Sequence, residues 1–357
     1  MTSPEGGFYS AQDVDSDGGE GKYYLLTPKE ILQLLGPEDG NAFCAHFDIT
    51  PIGNFNCRSI PNLLNSDPYD HTFDAHLEQV RQYRRERCAL HLDDKILTSW
   101  NGLMIAALCK LYQASGNIRY LEAAKKADGF IRDYLLDGDT LVVSCRKEKR
   151  GVQGFLDDYA ACVFAQLALY SATLDMEYLK LAKRLCETVD RRFGDEARGG
   201  YYLYAADGEQ LILRPKETYD GAMPSGNSLM AWNLVRLAQL SGETQDAQAA
   251  ERQLAFMASA AVKYPTGHAM FLLALMDRKA PPPSVTVVLA QEADADAIPL
   301  SLTPDAAVTL LRQPTAEYPL KDGQTTFYIC QDHSCLPATN DPGDAYRSTM
   351  PEKLQAR

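Results

Sequence analysis

Residues 154–193 read GFLDDYAACVFAQLALYSATLDMEYLKLAKRLCETVDRRF and predict two helices joined by a very short turn. Apolar side chains recur at intervals of three and four residues over 155–173 and again over 176–193, which is the spacing of one helix face. Leu174-Asp175 alone separates the two periodic segments. Because so short a joint leaves room only for a reversal of direction, the pair is predicted to form an antiparallel helical hairpin.

The same hairpin pattern recurs along the chain with a period of about 60 residues. Helical periodicity over 97–113 pairs with that over 118–136, and 225–241 pairs with 245–262. The joints within pairs are short, whereas the connections between pairs are long. This period is too long for tetratricopeptide or armadillo arrays. It favours an incomplete α/α toroid, in which inner helices run parallel around a ring and outer helices return.

Less regular segments flank the hairpins. Thr27 and Pro28 predict the start of a short helix, with Glu30 completing a capping box. Residues 37–70 are expected to be irregular, and further helices are predicted at 72–88 and 267–278. Three further regions have strand character. They are Thr140–Val143, a β-hairpin with its turn at Asp207-Gly208, and the region after residue 280, which contains the runs VTVVLA, AAVTLL and TTFYIC. The fold class is therefore mainly α, divided into a partial toroid over 1–280 (a loop-rich opening segment at 1–71 and helical hairpins at 72–280), a small α/β appendage over 281–342 and a flexible tail over 343–357.

Composition excludes several classes of function. Lys and Arg number 35 against 48 Asp and Glu, which gives a net charge of -13 and argues against binding to nucleic acid or to an anionic membrane surface. No run approaches the roughly 20 apolar residues of a membrane helix, and the N-terminus lacks the features of a signal peptide.

The nine cysteines are scattered and odd in number, so reduced thiols and a cytoplasmic location are predicted. The closest pair, Cys330 and Cys335, offers two of the roughly four ligands that a zinc site needs. Neither a metal nor a cofactor is predicted.

Three polar clusters open helices that are equivalent in the repeat. Because alternate helices of a toroid run in the same direction, all three clusters are expected on one rim of the ring. The unpaired N–H groups of the helix N-termini there can bind hydroxyls or anions, so this rim is the predicted site. The clusters comprise His91, Asp94, Trp100 and Asn101 at the first helix, Asp157, Asp158 and Tyr159 at the second, and Asp220, Ser225, Asn227 and Ser228 at the third.

Each of these residues also has a structural interpretation. Aspartates in a first turn complement the helix dipole, and Asn or Ser caps helix starts. Trp100 suits a core as well as a sugar platform. Asp157 and Asp158 are neighbours and point about 100° apart, so at most one of them faces a cavity. A rim whose side chains all cap helices favours a scaffold, whereas two or more titratable groups around one ligand favour an enzyme.

The chain contains a set of motifs in a fixed order: EGGFYSAQDVDSDGGEGKYY, HLDDKILTSWNGLMIAAL, GFLDDYA, GGYY, KETYDGAMPSGNSLMAWNLVRLAQLSG and FYICQDHSCLP. In this order they resemble the spermatogenesis-associated protein 20 family, with its bacterial YyaL-like, thioredoxin-domain-containing members once grouped under DUF255. The resemblance covers about residues 4–342. It implies a thioredoxin-like domain followed by an (α/α)6 toroid similar to those of N-acylglucosamine 2-epimerases, cellobiose epimerases and six-hairpin glycosidases.

By this analogy the predicted function is a carbohydrate-directed enzyme, with a small carbohydrate as its ligand. In an epimerase His91 would exchange a proton beside the sugar carbonyl, and in a glycosidase Asp94, Asp157 or Asp220 would act as general acid. The alternative prediction is a non-catalytic binding or regulatory protein that retains the toroid scaffold. The predicted binding residues are Trp100, Asn101, Tyr159, Ser225 and Asn227, together with Asp13 and Asp15 of an early acidic loop.

The chain also departs from the family pattern. It lacks a thioredoxin domain, it shows about nine helices where a closed ring needs twelve, and Gln12 stands where the family usually has an acid. An N-terminally truncated toroid is therefore expected, with a protein partner or a second copy completing the ring. A redox role is the least supported hypothesis, and a reversible disulfide between Cys330 and Cys335 would raise it.

Overall fold

The computed structural model divides into two compact units. The first unit holds Met1 and Tyr9–Asp94, and the second unit holds Thr2–Phe8 together with the chain from Lys95 onward. The residues that the structure describes are 1–16, 19–209, 212–303, 305–331 and 334–350.

The described residues of the first unit contain three helices and two short strand pairs. The helices are α1 (Pro28–Leu35), α2 (Pro37–His46) and α3 (Asp74–Arg87). The strand β1 (Ala11–Gln12) pairs with β4 (Leu92–Asp93), and β2 (Asp15–Ser16) pairs with β3 (Gly19–Glu20). The capping box of α1 is confirmed, because Thr27 accepts the N–H of Glu30 through its hydroxyl and donates its own N–H to the Glu30 carboxylate.

The prediction of an irregular region over 37–70 is wrong where α2 forms. Pro37 occupies the first helical position, where its missing N–H costs nothing. Phe43 and Cys44 on the inner face of α2 join Ile31 of α1 and Val80 of α3 in a small apolar core. This packing stabilises a helix whose glycine, proline and asparagine give it little intrinsic preference.

Helical hairpins dominate the second unit, and the predicted hairpin boundaries hold to within a few residues. The turns after the helices Thr98–Ser115, Leu156–Thr173 and Gly226–Ser241 place Gly116, Leu174 and Gly242 in the left-handed region, at φ values of 66°, 55° and 66°. Glycine suits two of these positions, since it has no Cβ to oppose a positive φ. The helices are α4 (Thr98–Ser115), α5 (Ile118–Phe130, continued by a π-helical turn at Ile131–Leu135), α6 (Leu156–Thr173), α7 (Met176–Phe193), α8 (Gly226–Ser241), α9 (Thr244–Ala261) and α10 (Ala269–Lys279).

These helices form part of an α/α toroid. The inner helices α4, α6, α8 and α10 pack side by side in that order, and α5, α7 and α9 each pack against the inner helix that precedes them. Gly102 lies where α4 meets α6, and a Cβ there would come within 2.6 Å of the Ala161 carbonyl oxygen. The described residues therefore supply four inner helices of the ring, in contact from one end of the row to the other.

Short strands line the connections between the hairpins. The predicted strand character near Thr140–Val143 is confirmed in part, because Thr140–Leu141 forms a strand in which Leu141 is buried. The pairs are antiparallel: β5 with β8, β8 with β9, and β6 with β7. The strands are β5 (Ile96–Leu97), β6 (Leu136–Asp137), β7 (Thr140–Leu141), β8 (Ser144–Arg146) and β9 (Lys149–Arg150).

The C-terminal segments form one four-stranded sheet, and the three apolar runs supply three of its strands, as predicted. Its strands are β10 (Ser284–Val288), β11 (Ala307–Leu311), β12 (Thr326–Gln331) and β13 (Ser334–Cys335), in the order β11-β10-β12-β13. The strands β10 and β11 are parallel and are joined through a 3-10 helical segment at Glu292–Ser301, whereas β12 runs antiparallel to β10. A further helix, α11 (Pro342–Thr349), packs against β12 and is capped by Asp341.

Three sequence predictions fail here. The β-hairpin around Asp207-Gly208 is absent from the described residues of that segment, where Leu203 donates to the Pro215 carbonyl without strand pairing. The predicted flexible tail is helical as far as Thr349, and the rest of it beyond 350 lies outside the described residues. Cys330 and Cys335 form a disulfide across β12 and β13, where reduced thiols are predicted.

Among the described helices, none combines the length and the apolarity needed to cross a bilayer.

Candidate functional site

The predicted rim site begins at the first turn of α6. The carboxylate of Asp158 accepts the N–H of Phe155 at 3.0 Å and, from the first turn of α4, the N–H of Ser99 at 3.1 Å. The carboxylate of Asp157 accepts the N–H of Gly226, the first residue of α8, at 2.8 Å. The two neighbours diverge as predicted, and each one reaches a different inner helix.

Asp220 makes a similar link on the far side of α8. Its Oδ1 accepts the N–H of Ser225 at 2.9 Å and the Ser225 hydroxyl at 3.2 Å, while its Oδ2 accepts the N–H of Met270 in α10 at 2.8 Å. Ser225 in turn caps α8 by accepting the N–H of Ser228. Helices leave their first N–H groups without intrahelical partners, and the three aspartates supply partners at the starts of four inner helices.

Two buried asparagines hold extended backbone beside the helix starts. The side-chain amide of Asn101 accepts the N–H of Phe8 at 2.8 Å and donates to the Phe8 and Leu97 carbonyls. Asn227 accepts the N–H of Tyr201 at 2.9 Å and donates to its carbonyl at 2.8 Å. Each amide therefore behaves like a backbone partner in a strand ladder, with its hydrogen-bonding groups engaged by the fold.

The two aromatic residues of the rim differ in access. Tyr159 is fully buried, and its hydroxyl accepts hydrogen bonds from the Leu141 N–H at 3.0 Å and from Arg192 at 2.6 Å. Trp100 is 44% exposed. Trp100 is therefore accessible to a ligand from solvent, whereas Tyr159 links α6 to α7 and to β7 through its hydrogen bonds.

The remaining predicted site residues lie in the first unit. Asp13 donates its N–H to the His91 carbonyl at 2.8 Å, next to the pairing of β1 with β4. The Asp13 carboxylate accepts the N–H of Asp15 at 3.2 Å. The early acidic loop and His91 are thus brought together, and Asp94 ends this unit. Their predicted roles toward a substrate stay predictions.

Burial sets the electrostatics of the rim. Asp158 is 3% exposed, and burial raises the pKa of Asp158 to about 7 against the opposing effect of its N–H donors. Burial also raises the pKa of Asp157, which the Gly226 N–H opposes and the negative charge of Glu217 reinforces. A carboxyl with a raised pKa can serve as a proton donor near neutral pH.

A cavity of about 200 Å³ at the C-terminal halves of the inner helices is a second candidate site, and it is not among the sites predicted from the sequence. The rings of Phe164 and Trp232 line it in an edge-to-face arrangement, with centroids 4.7 Å apart. Charged residues from three inner helices and from the loop before β11 also line it: Lys110, Arg236, Asp277 and Asp305. Such an apolar concavity with a few convergent polar groups is typical of a small-molecule site.

Arg236 fixes the C-terminal sheet against these helix ends. Its buried guanidinium donates to the carbonyls of Asp305 at 2.7 Å and Ala306 at 2.6 Å. Tyr170 of α6 adds a hydrogen bond of 2.9 Å to the Val308 carbonyl in β11. The loop that carries Asp305 is therefore held at the edge of the cavity.

The two acids of the cavity have opposite electrostatic environments. Burial raises the pKa of Asp277, and the nearby Arg236 opposes that effect. Burial also acts to raise the pKa of Asp305, but the ammonium of Lys110, 2.5 Å away, and the guanidinium of Arg236 together outweigh burial and lower that pKa. The cavity thus presents one carboxyl whose pKa is raised and one whose pKa is lowered by neighbouring positive charge.

The sequence does contain a signal for this cavity. Lys110, Arg236 and Asp277 are charges on otherwise apolar helix faces, in the segments MIAALCKLY, LMAWNLVRLAQ and FLLALMDRK. A charge that interrupts an apolar face requires a partner or a cavity. The contribution of Asp305 depends on tertiary structure, because it reaches the site from beyond β10.

The chain is 34% identical to spermatogenesis-associated protein 20 of Mus musculus over 291 residues, which cover 68% of this chain and 37% of the mouse protein. Its identity to the Homo sapiens protein is 32% over the same length and with the same coverage. The chain therefore spans about 37% of the length of these curated relatives. No family model matches the chain.

Two solved toroids show a weaker similarity. An α-mannanase of glycoside hydrolase family 76 from Bacteroides thetaiotaomicron aligns with a TM-score of 0.43 and 20% identity, covering 52% of this chain and 53% of the enzyme. Cellobiose 2-epimerase from Spirochaeta thermophila aligns with a TM-score of 0.40 and 19% identity, covering 46% and 44%. Similarity at this level carries no argument about chemistry.

Proposed function

The chain belongs to the spermatogenesis-associated protein 20 family, and on this premise we propose that its second unit is a non-catalytic carbohydrate-binding protein built on the toroid scaffold. The proposal rests on the hydrogen bonds that the rim carboxylates make within the fold. Asp157, Asp158 and Asp220 each accept backbone N–H groups that belong to other inner helices.

A general acid or base must exchange its proton with a substrate during the reaction. At the rim, a carboxylate that turned toward a substrate would leave the first N–H groups of a neighbouring helix unpaired. An unpaired buried polar group costs about 1–3 kcal/mol. The rim is accordingly better suited to holding the ring together than to proton transfer.

The cavity at the other helix ends offers the features of a sugar site. A sugar ring has apolar C–H faces, which pack on aromatic rings such as those of Trp232 and Phe164. Its hydroxyls both donate and accept hydrogen bonds, and Asp277, Asp305 and Lys110 offer acceptors and donors at the cavity wall. The cavity is small, at about 200 Å³, so a single monosaccharide unit rather than a longer oligosaccharide is the proposed ligand.

The test is calorimetric titration of the whole chain with mono- and disaccharides. Trp232→Phe is expected to weaken binding about tenfold, because the larger ring face is lost. Trp100→Phe is the matched control, since it makes the same change at the rim. Weakening by W100F with no effect of W232F would place the ligand at the rim and refute the cavity assignment.

A second candidate function is sugar-directed catalysis at the rim, and the raised pKa of Asp157 favours it. Asp157 would act as the general acid of a glycosidase, or His91 as the proton-exchanging base of an epimerase. Product formation from each sugar is compared among wild type, His91→Ala, Asp94→Asn and Asp157→Asn. Turnover that D157N abolishes while the circular dichroism stays native would replace binding with catalysis, and equal turnover in all three variants would remove the rim assignment.

We also propose that a second copy or a protein partner completes the ring. The two ends of the helix row expose apolar side chains, with Trp100, Met104 and Leu111 of α4 between 43% and 48% exposed and Leu273 and Met276 of α10 at 52% and 64%. Monomeric proteins seldom expose large apolar faces. Sedimentation velocity of the wild type and of Leu111→Asp measures this, and a monomer for both at all concentrations would exclude self-association.

A further inference from the structure

The first unit contains a cavity of its own, of about 560 Å³, between α2, α3 and the segment around Pro61. Its floor is part of the apolar core, where Phe43 is 2% exposed and Val80 is 8% exposed. Its mouth is also apolar, since Ile60 and Leu63 are 47% and 37% exposed. Hydrocarbon side chains thus line this space from floor to mouth.

Arg84 brings a positive charge to the wall of this cavity. The centre of its guanidinium lies 4.7 Å from the ring centroid of Tyr23 and 5.6 Å from that of Tyr24. Within the described chain no ion pair or hydrogen bond to the Arg84 side chain is found, and its Nε is buried without a partner. The guanidinium thus brings to the cavity wall a positive charge that no carboxylate of the described residues neutralises, so the site favours a ligand with an anionic group.

The other arginines of α3 do have partners. Arg87 donates to Glu30 and to backbone carbonyls, including that of Leu25 at 2.8 Å. Arg81 and Arg85 both lie within ion-pair distance of Glu78, at 3.4 Å and 3.9 Å. Arg81 also lines the cavity, but its charge is paired with Glu78. Arg84 therefore differs from the other arginines of the helix in having no carboxylate partner among the described residues.

We propose that this cavity binds an amphiphilic monocarboxylate, with its carboxylate on Arg84 and its hydrocarbon chain along the apolar wall. The planar guanidinium fork matches a carboxylate in geometry and charge. Counted at ~30 Å³ per water-sized group, the volume holds roughly 19 groups, which exceeds the fourteen heavy atoms of dodecanoate. A doubly charged phosphate is the poorer fit, because the cavity offers a single unpaired cation. The proposal concerns the first unit and is independent of the carbohydrate proposal.

The probe is dodecanoate, titrated calorimetrically into the whole chain below its micelle concentration, with dodecan-1-ol as the uncharged comparison. Wild-type protein is expected to bind one dodecanoate with saturation and to bind the alcohol at least tenfold more weakly. Arg84→Gln is expected to weaken dodecanoate binding about tenfold and to leave the alcohol unchanged. Arg85→Gln is the matched control on the same helix, because it removes the same charge from a solvent-facing side chain that is 63% exposed.

Equal affinity of wild type for dodecanoate and the alcohol, or equal losses in R84Q and R85Q, would overturn the proposal. Leu63→Asp keeps it testable if R84Q does not fold, since Leu63 lies at the mouth rather than in the core. A carboxylate at this mouth should repel dodecanoate and abolish its saturable binding. Undiminished binding to a folded L63D would equally refute the assignment.

Discussion

The carboxylate of Asp157 in α6 accepts the backbone N–H of Gly226, 69 residues further along the chain, at 2.8 Å. The Asp157 carboxylate also leaves no room for a side chain at position 226, since a Cβ there would lie 2.5 Å from the Asp157 Oδ1. A helix start is normally capped by a side chain that precedes it by a few residues. In this ring, part of that function comes from the neighbouring inner helix.

Gly226→Ala should destabilise the second unit, because the added methyl displaces the Asp157 carboxylate. We expect a loss of about 1–3 kcal/mol in the free energy of unfolding, measured by urea denaturation. Gly129→Ala in α5 is the control, since no atom lies within 4 Å of its added Cβ. That variant should be neutral or more stable by about 0.5–1 kcal/mol. Equal effects of G226A and G129A would show that the capping contact is not formed.

Asp158 should make stability depend on pH. Its pKa is raised to about 7 from an ordinary value of 3.8, so the folded state holds this proton more tightly than the unfolded state. The contribution to stability is therefore fully present below about pH 4 and is lost as pH rises through 7, with a total on the order of 4 kcal/mol. Asp158→Asn removes the titration. Urea midpoints of the two proteins between pH 5 and 8 should differ in slope, and parallel slopes would contradict the raised pKa.

Arg236→Met should loosen the C-terminal sheet from the inner helices. The change leaves the Asp305 and Ala306 carbonyls without their guanidinium donor, at about 1–3 kcal/mol for each unpaired group. Amide hydrogen exchange in β11 is expected to accelerate more than exchange in α6. Arg278→Met removes only an exposed ion pair with Glu251, worth about 0–1 kcal/mol. Similar exchange in both variants would argue against the anchoring role of Arg236.

Reduction of the Cys330–Cys335 disulfide should have a local effect. A cross-link that closes so short a loop adds about 2 kcal/mol to the free energy of unfolding. Cys335 is exposed and accessible to a thiol reductant. Exchange at β13 should rise on reduction, while exchange in α6 and α8 stays unchanged. Cys330→Ser with Cys335→Ser should reproduce the reduced protein without reductant. Protection lost throughout the ring would show that the disulfide supports more than this edge of the sheet.

The helices could be predicted because their signal is local. The predicted segment 176–193 coincides with α7, whose apolar face lies within the segment and whose N-cap, Asp175, immediately precedes it. The α2 helix escaped prediction because its stability comes from packing against α1 and α3. The hairpin at Asp207-Gly208 failed for a similar reason, since the Tyr201 backbone pairs with the Asn227 side chain rather than with a second strand.

The convergence of the second and third polar clusters could be predicted from helix direction. The hydrogen-bond partner of each side chain could not. Leu97 and His268 stand at the N-caps of α4 and α10 and make no side-chain capping bond there. The first N–H groups of these helices donate instead to the carboxylates of Asp158 and Asp220. A sequence pattern shows which residues open a helix, and it does not show which distant helix uses them.

This exchange of caps has a consequence for the way the ring loses its structure. In a linear solenoid, a terminal repeat can unravel while the others persist, because each repeat carries its own helix starts. Here the loss of α6 would remove acceptors from the starts of both α4 and α8, and disorder at Asp220 would release α8 and α10 together. Local fraying is thereby coupled to the whole row of inner helices, so that they melt as one body rather than one hairpin at a time.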